Sequence, residues 1–319
     1  MLMLRLAGKF CSTVILVAVA AAACGEDYPS KPLRIVTSEV GGGNDVQARL
    51  IAQGLTQALG QQVVVENRPS GVIPGDIVSK STPNGYTLLF YNNTFWIGPL
   101  IQRAPYDALR DFSPISSVTN AANVLVVNPA LPVKSVAELI ALARTKPGAF
   151  NYGSSGTGAT NHLAAELFRT MAHVDIVRIN YKGAGPALNA LLAGELQMMF
   201  PTAGAATPHI RAGRVKALAV TSAEPTALFP GVPTVAASLP GYESLSIYAL
   251  FAPAGTPRAI INKLNAAIVR FLRQADVKEK FFNAGMEVAG DTPEQLTVAV
   301  KADLTRMSKV IKDAGIHGD

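Results

Sequence analysis

Cysteine and aromatic residues are scarce in this chain of 319 residues, which has two cysteines, one tryptophan and 7% aromatic residues. No aromatic run interleaves with the lysines and arginines, which are spread along the chain, so the composition argues against nucleic-acid binding. The four histidines lack the spacing of metal ligands, and no H-E-x-x-H motif is present. We therefore expect neither a metal site nor a cofactor. With 49% hydrophobic residues and a formal charge of +6, the rest is ordinary globular composition.

The first 23 residues have the pattern of a secretory signal peptide. Arg5 and Lys9 give a positive start, and the apolar run VILVAVAAAA ends in small side chains. This run is too short to span a membrane. Removal of residues 1–23 takes Cys11 away and leaves Cys24 as the single cysteine, which excludes an internal disulfide. Two interpretations of Cys24 stay open: lipidation at an imperfect lipoprotein box, or simple cleavage near this residue.

Short runs rich in Val, Ile and Leu alternate with segments of helical period, which predicts an α/β fold. The runs suit buried strands of parallel sheets, and they cover residues 33–37, 63–65, 87–91, 124–127, 175–179, 198–200, 217–220 and 248–251. Helices are predicted over residues 44–59 and 159–172 and after Pro186. Asn44 is predicted to cap the first helix, with Gln47 at the capping-box position and Gly60 at the end.

A strand, a Gly-rich loop and a helix follow one another twice. The first occurrence is LRIVTSEVGGGND, from Leu33, and the second is FNYGSSGTGATN, from Phe150. A helix N-terminus presents unpaired N–H groups and the positive end of the helix dipole, so it binds an anion without Lys or Arg. Since α/β sheets bind ligands at the carboxyl ends of their strands, two such loops across one cleft suit a small dicarboxylate. For either loop alone, a tight turn is the simpler interpretation.

The second loop departs from three known motifs. It nearly spells a nucleotide P-loop, but Ala159 stands where lysine belongs, and Asn161 replaces the third glycine of a dinucleotide loop. The run G-S-S-G is one residue too short for a nucleophile elbow. A hydrolase that uses Ser154 or Ser155 would also need a carboxylate and an oxyanion hole. We therefore predict no enzyme activity and keep an exported hydrolase as the alternative function.

Nine segments with characteristic order and spacing cover nearly all of the mature chain. They are YPSKPLRIV (28–36), VVVENRP (63–69), PNGYTLL (83–89), NVLVVNPALPVKSVAELIALAR (123–144), NYGSSGTGATNHLAAELF (151–168), YKGAGPAL (181–188), ALAVTS (217–222), VPTVAASLPGYE (232–243) and LFAPAGTP (250–257). Together they resemble the substrate-binding proteins of tripartite tricarboxylate transporters, the Bug family.

The resemblance implies a two-lobed periplasmic-binding-protein fold of the Venus-flytrap type (type II) with a ligand cleft between the lobes. We expect the first lobe over residues 28–123, the second over 124–240 and a return to the first over 241–319. The resemblance also implies a solute-binding protein in the periplasm, free or anchored through Cys24, that delivers a small organic carboxylate to integral membrane transporter subunits. We expect a monomer. The effector domain of a transcription regulator shares this lobe architecture, but residues 1–27 offer no DNA-binding helix pair.

Ligand-binding residues are predicted in four segments, by position in the family pattern and from the chemistry of the loops. They are Ser38, Glu39, Gly41, Gly42, Gly43, Asn44 and Asp45; Ser154, Ser155, Gly156, Gly158, Thr160, Asn161 and His162; Tyr181, Lys182 and Gly183; and Pro201 and Thr202. Simpler interpretations are a helix-terminal carboxylate for Asp45, a polar side chain beside the loop for His162, and a solvated side chain for Lys182.

Several positions depart from the family pattern where a ligand would sit. Glu39 and Val40 replace the usual start of the Gly-Gly loop, Pro201 follows a strand that often ends in Asp or Asn, and the loop after Pro69 is short. We therefore hypothesise a ligand different from the simple dicarboxylates. Glu39 faces either a ligand ammonium or solvent, and solvent is the simpler interpretation.

Overall fold

The computed structural model describes residues 28–41, 43–69 and 71–317. The predicted signal peptide, Cys24 and Gly42 lie outside the described residues. Among those described, no helix combines the length and the apolar character that a bilayer crossing requires.

The described strands form two sheets, which makes the fold a two-lobed α/β architecture. The strands are β1 (Leu33–Thr37), β2 (Val63–Asn67), β3 (Thr87–Asn92), β4 (Phe112–Ala122), β5 (Val124–Val127), β6 (Phe150–Ser154), β7 (Ile176–Asn180), β8 (Met198–Met199), β9 (Lys216–Val220), β10 (Leu245–Pro253) and β11 (Glu287–Val288). The order is β11-β4-β10-β3-β1-β2 in the first sheet and β7-β6-β8-β5-β9 in the second.

All eight predicted runs lie in strands, but the two sheets are mixed and not parallel throughout. β1 pairs in parallel with β2 and β3, whereas β10 runs antiparallel to both β3 and β4. In the second sheet β6 is parallel to its neighbours, and β5 is antiparallel to β8 and β9. The central strand β10 is almost entirely buried. A strand covered on both faces is continuously apolar in either direction, so the sequence did not reveal its orientation.

The helices are α1 (Gly43–Leu59), α2 (Ile73–Ser79), α3 (Thr94–Ile101), α4 (Val136–Thr145), α5 (Thr160–Ala172), α6 (Ala184–Ala193), α7 (Ala203–Arg211), α8 (Arg258–Leu272), α9 (Ala275–Asn283) and α10 (Pro293–Ala314). The predicted cap of α1 was wrong. Asn44 lies inside the first turn and donates its Nδ2–H to Ser38 Oγ (3.1 Å), and Gln47 is buried, with its Oε1 accepting from the Thr119 hydroxyl (2.5 Å). Gly60 ends the helix with a φ of 69°, as predicted.

The core of the first sheet lies beneath α1 and α8. Ile35 and Phe90 of the sheet are fully buried in one cluster with Ile51 of α1 and Leu264 of α8. The two helices approach closely at Gly54, where a Cβ atom would lie 2.4 Å from the ring of Phe271. Burial of this apolar layer is the main source of stability for the first lobe.

The chain passes between the sheets twice, and one threonine joins the two crossings. A single residue, Asn123, separates β4 from β5 and forms the first crossing. The return lies between β9 and β10. Thr221 Oγ1 accepts from the Asn123 N–H (2.8 Å) and lies 2.6 Å from the carbonyl oxygen of Ser244. The lobe boundaries at residues 124 and 240 stay a prediction, and they lie close to these crossings.

The C-terminal helix α10 contacts elements of both lobes. It packs against β4 and α3 on one side and against α5 on the other. Its buried Asp303 accepts from Trp96 Nε1 (2.8 Å), from Asn93 Nδ2 (3.3 Å) and from Arg306 (3.1 Å). This carboxylate therefore fixes α10 to the start of α3.

Asp303→Ala should lower the free energy of unfolding by about 3 kcal/mol, because it leaves buried donors without their acceptor. Chemical denaturation of the wild type and the variant measures this loss. Asp313→Ala on the same helix is the control, because Asp313 is exposed. Equal effects of the two substitutions would show that the buried carboxylate does not fix the helix.

Candidate functional site

A cavity of about 630 Å³ opens between the two sheets at the carboxyl ends of β1, β3 and β6. The first sheet's side supplies Glu39, Asn44, Gly71, Val72, Tyr91, Asn92, Thr94, Gly98, Ile101, Gln102 and Tyr106. The second sheet's side supplies residues 155–159, in the loop before α5. This cavity is the cleft between the two lobes. Among these lining residues Glu39 is the single charged side chain, so the cleft wall carries no lysine or arginine.

The first loop is held in shape by Asp45, which is buried and lies behind the cleft wall. Its carboxylate accepts from the Gly41 N–H (2.9 Å), from Asn67 Nδ2 (2.8 Å) and from Arg49 (2.9 Å). Burial alone would raise the pKa of Asp45, but these hydrogen bonds and the Arg49 charge lower it below its ordinary value. Asp45 therefore stays ionised and positions the loop.

Asn44 brings a polar group of α1 to the cleft. Its Nδ2 bonds to Ser38 Oγ, while its buried Oδ1 has no partner among the described residues. Rotation of the amide by half a turn would let Oδ1 accept from the Ser38 hydroxyl. In either orientation Asn44 connects the start of α1 to the first loop beside the cleft.

The second loop presents backbone N–H groups at the N-terminus of α5. Asn161 Oδ1 accepts from the Ser155 hydroxyl (3.0 Å), and His162 Nδ1 accepts from the Gly158 N–H (3.1 Å). The N–H groups of Gly156 and Thr157 have no hydrogen bond to another described residue. Two adjacent donors at the positive end of a helix dipole form an arrangement that binds an anion.

Gly158 lies close to α3, on the first sheet's side of the cleft. Its φ is 76°, and a Cβ atom there would lie 2.8 Å from Cδ1 of Ile101 in α3. A side chain at this position would require a strained backbone and would press on α3.

A second, smaller cavity of about 280 Å³ lies behind the second loop, between α5, β7 and the end of α10. Its polar lining residues are Thr157, His162, Glu166, Arg169, Arg178 and His317. His162 lines this cavity and not the cleft. Burial, and then the charge of Arg178, lowers the pKa of His162 to about 4, against a smaller opposing effect of Glu166. The imidazole is therefore neutral and able to accept from Gly158 at neutral pH.

The structure places the predicted site residues in three groups. Those in the cleft wall are Glu39, Asn44, Ser155, Gly156 and Gly158. Those that border the loops without lining the cleft are Ser38, Gly41, Gly43, Asp45, Ser154, Thr160, Asn161 and His162. Tyr181, Lys182 and Gly183 lie between β7 and α6, and Pro201 and Thr202 lie beside the crossing at Asn123. Ligand contacts by any of them stay predictions.

Residues after β3 were missed, although the sequence contained a signal for them. Asn92 and Thr94 line the cleft at the end of β3, and Gln102 closes α3 beside them. β3 was predicted and its carboxyl end lies beside that of β1, so the rule that located the first loop would also have located these residues. Tyr91 was missed because it belongs to the apolar run 87–91, which is typical of a core strand, and Tyr106 was missed because it lies in a loop without a recognisable motif.

The geometry around the two serines gives no support to a hydrolase. The Ser154 hydroxyl is buried, accepts from Arg178 Nε (2.8 Å) and lies 3.3 Å from Asn180 Oδ1. The Ser155 hydroxyl bonds to Asn161. Neither hydroxyl hydrogen-bonds to a histidine in the part of the chain that the structure describes. Within that part there is also no group of three or more His, Cys, Asp or Glu residues able to hold a metal ion.

Comparison with known proteins gives consistent matches over most of the chain. A family model described as the tripartite tricarboxylate transporter family receptor matches residues 47–316. The chain is 35% identical to the protein BugT of Bordetella pertussis, over 98% of this chain and 97% of BugT. It is 36% identical to R. palustris Rpa4515 with adipate, with a TM-score of 0.77, over 91% of this chain and 99% of that one. It is 28% identical to MatC from Rhodopseudomonas palustris with bound malate, with a TM-score of 0.74, over 89% of this chain and 100% of MatC. The predicted fold is confirmed by these structures.

The stability of the protein should fall as the pH drops from about 6.5 toward about 4, because the unfolded chain protonates His162 at a higher pH than the folded chain does. His162→Asn keeps an acceptor near the Nδ1 position and removes this titration. The variant should therefore lose less free energy of unfolding than the wild type between about pH 7 and about pH 4.5. Urea denaturation at the two pH values measures the difference. His209→Asn on α7 controls for the loss of a histidine, and identical profiles for His162→Asn and the wild type would contradict the burial of a neutral imidazole.

Proposed function

The chain belongs to the tripartite tricarboxylate transporter receptor family, and from this premise we propose that it captures a small organic carboxylate in the cleft between its two lobes. Relatives in this family have been seen with adipate and with malate. The same chemical class suits this chain because the cleft offers polar groups and backbone donors of the kind that a carboxylate requires.

The observation that supports this proposal most directly is the pair of N–H groups at Gly156 and Thr157, which have no partner among the described residues. N–H groups at a helix N-terminus that have no partner within the protein bind water or an anionic ligand, so this open pair fits a site for a carboxylate. Across the cleft, the Asn44 amide and the side chains after β3 can bind the opposite end of the molecule.

The remainder of the proposal concerns delivery and location. We infer that the protein works outside the cytoplasm, in the periplasm, and passes its ligand to integral membrane subunits. The signal-peptide pattern of residues 1–23 and the family support this location. Lipid anchoring through Cys24 and release as a free protein are both compatible with the sequence. We further propose that the receptor acts as a monomer and has no enzyme activity of its own.

A carboxylate that binds the cleft should raise the melting temperature in proportion to the logarithm of its concentration. At about a thousand times its dissociation constant, one bound acid contributes about 4 kcal/mol, which corresponds to a shift of several degrees. A thermal-shift series should begin with adipate and malate and extend to other aliphatic and aromatic acids, with adipamide as the uncharged control. If folded, ligand-free protein responded to no acid in the series, the proposed function would be wrong.

Glu39→Gln should tighten the binding of a dicarboxylate by a factor of about two, because the Glu39 carboxylate adds negative charge to the cleft wall, and solvent screens this charge at its exposed position. Isothermal titration with adipate measures the change. Glu195→Gln, at an exposed position between α6 and β8, removes the same charge from the surface and serves as the control. Weaker binding by Glu39→Gln would instead favour a ligand that carries an ammonium group facing Glu39.

A further inference from the structure

A cation lies directly behind the second loop, although the cleft wall itself contains none. Arg178 projects from β7, the strand beside β6, and its side chain lines the second cavity. Its Nε donates to Ser154 Oγ (2.8 Å), and its Nη2 donates to Thr157 Oγ1 (3.1 Å) and to Asn180 Oδ1 (3.1 Å). The guanidinium therefore holds the two ends of the turn that presents the open N–H groups.

Arg178 differs from its neighbour Arg169 in its partners among the described residues. Arg169, in the same cavity, forms an ion pair with Glu166 (2.8 Å). Arg178 forms no ion pair with any of the described carboxylates, and its partners are two hydroxyl groups and an amide. Because the side chain is half-buried, solvent screens this charge less than it screens an exposed lysine.

Thr157 connects this charge to the cleft. It is the residue that lines both cavities. Its hydroxyl oxygen accepts from Arg178, so its O–H proton is available for donation, and its backbone N–H is one of the two open donors. The lowered pKa of His162, to which Arg178 contributes, is a second sign that the charge acts on this loop.

We propose that Arg178 is a positioning residue that sets the affinity of the cleft for anions, acting through Thr157 and Ser154 without contacting the ligand. The proposal rests on the proposed function, in which the second loop binds a carboxylate. The positive potential of Arg178 adds to the helix dipole at the Gly156–Thr157 donors. It also favours doubly charged over singly charged acids, since the attraction scales with the charge of the ligand.

The test compares Arg178→Met, Arg178→Lys and the wild type by isothermal titration with adipate at about 20 mM and about 500 mM NaCl. Arg178→Met should weaken adipate binding about tenfold at low salt, and the loss should shrink at high salt, because a charge interaction is screened. Arg178→Lys keeps the charge and should retain most of the affinity. Arg214→Met is the matched control, because Arg214 is an exposed arginine between α7 and β9 and lines neither cavity.

An equal loss in the methionine and lysine variants, with no dependence on salt, would overturn the proposal and leave Arg178 as a structural hydrogen-bond donor. Unchanged affinity in Arg178→Met would overturn it as well. Titration of His162 by NMR in ligand-free protein gives a readout that does not require adipate to bind. The pKa of His162 should rise in Arg178→Met and stay at its wild-type value in Arg214→Met. If no acid binds the wild type, the proposed function is wrong. The Arg178 proposal can still be tested in that case, because an unchanged His162 pKa in Arg178→Met would show that Arg178 does not influence the loop.

Discussion

The candidate site depends on backbone N–H groups that have no hydrogen-bond partner among the described residues. Such groups require a loop whose own acceptors are bonded elsewhere. The N–H groups of Gly156 and Thr157 stay available because the surrounding polar groups are already bonded to one another. Asn161 bonds to Ser155, His162 bonds to Gly158, and Arg178 bonds to both sides of the turn. The first loop is also held by a side chain, but there the Asp45 carboxylate takes up a main-chain donor, the Gly41 N–H, as well as the Asn67 amide. Side chains thus hold both loops in shape, and the second loop keeps two main-chain donors open toward the cleft.

The two lobes are joined by two chain crossings and by the packing of α10 against elements of both. Thr221 connects the crossing at Asn123 to the return before β10, and α10 lies across both sheets' layers through α3 and α5. Asp303 fixes one side of that helix to the start of α3, which itself lines the cleft. A rotation of the lobes about the crossings would leave the Asp303 contacts intact and would change the packing of α10 against α5.

Periodicity predicted eight of the described strands and the main helices, because apolar runs and a helix-ending glycine such as Gly60 act locally. Strand β4 was missed because Pro114 and several serines and threonines interrupt the apolar pattern of this buried strand. The direction of β10 could not be predicted from its mostly apolar sequence. The Gly-rich loops indicated the position of the cleft. The role of Arg178 could not be predicted, since an arginine in a strand gives no sign that it faces a loop of the neighbouring strand. The cap assigned to Asn44 failed because Gly43 lets the helix begin earlier, where its amide meets Ser38.

Gly158 lets the second loop lie directly against α3. A Cβ atom at this position would lie 2.8 Å from Cδ1 of Ile101, and a φ of 76° is strained for any residue with a side chain. The isoleucine side chain can move aside, but the backbone conformation cannot be relieved in this way. The distance between the two sides of the cleft at this position thus depends on main-chain geometry more than on the size of the neighbouring side chain.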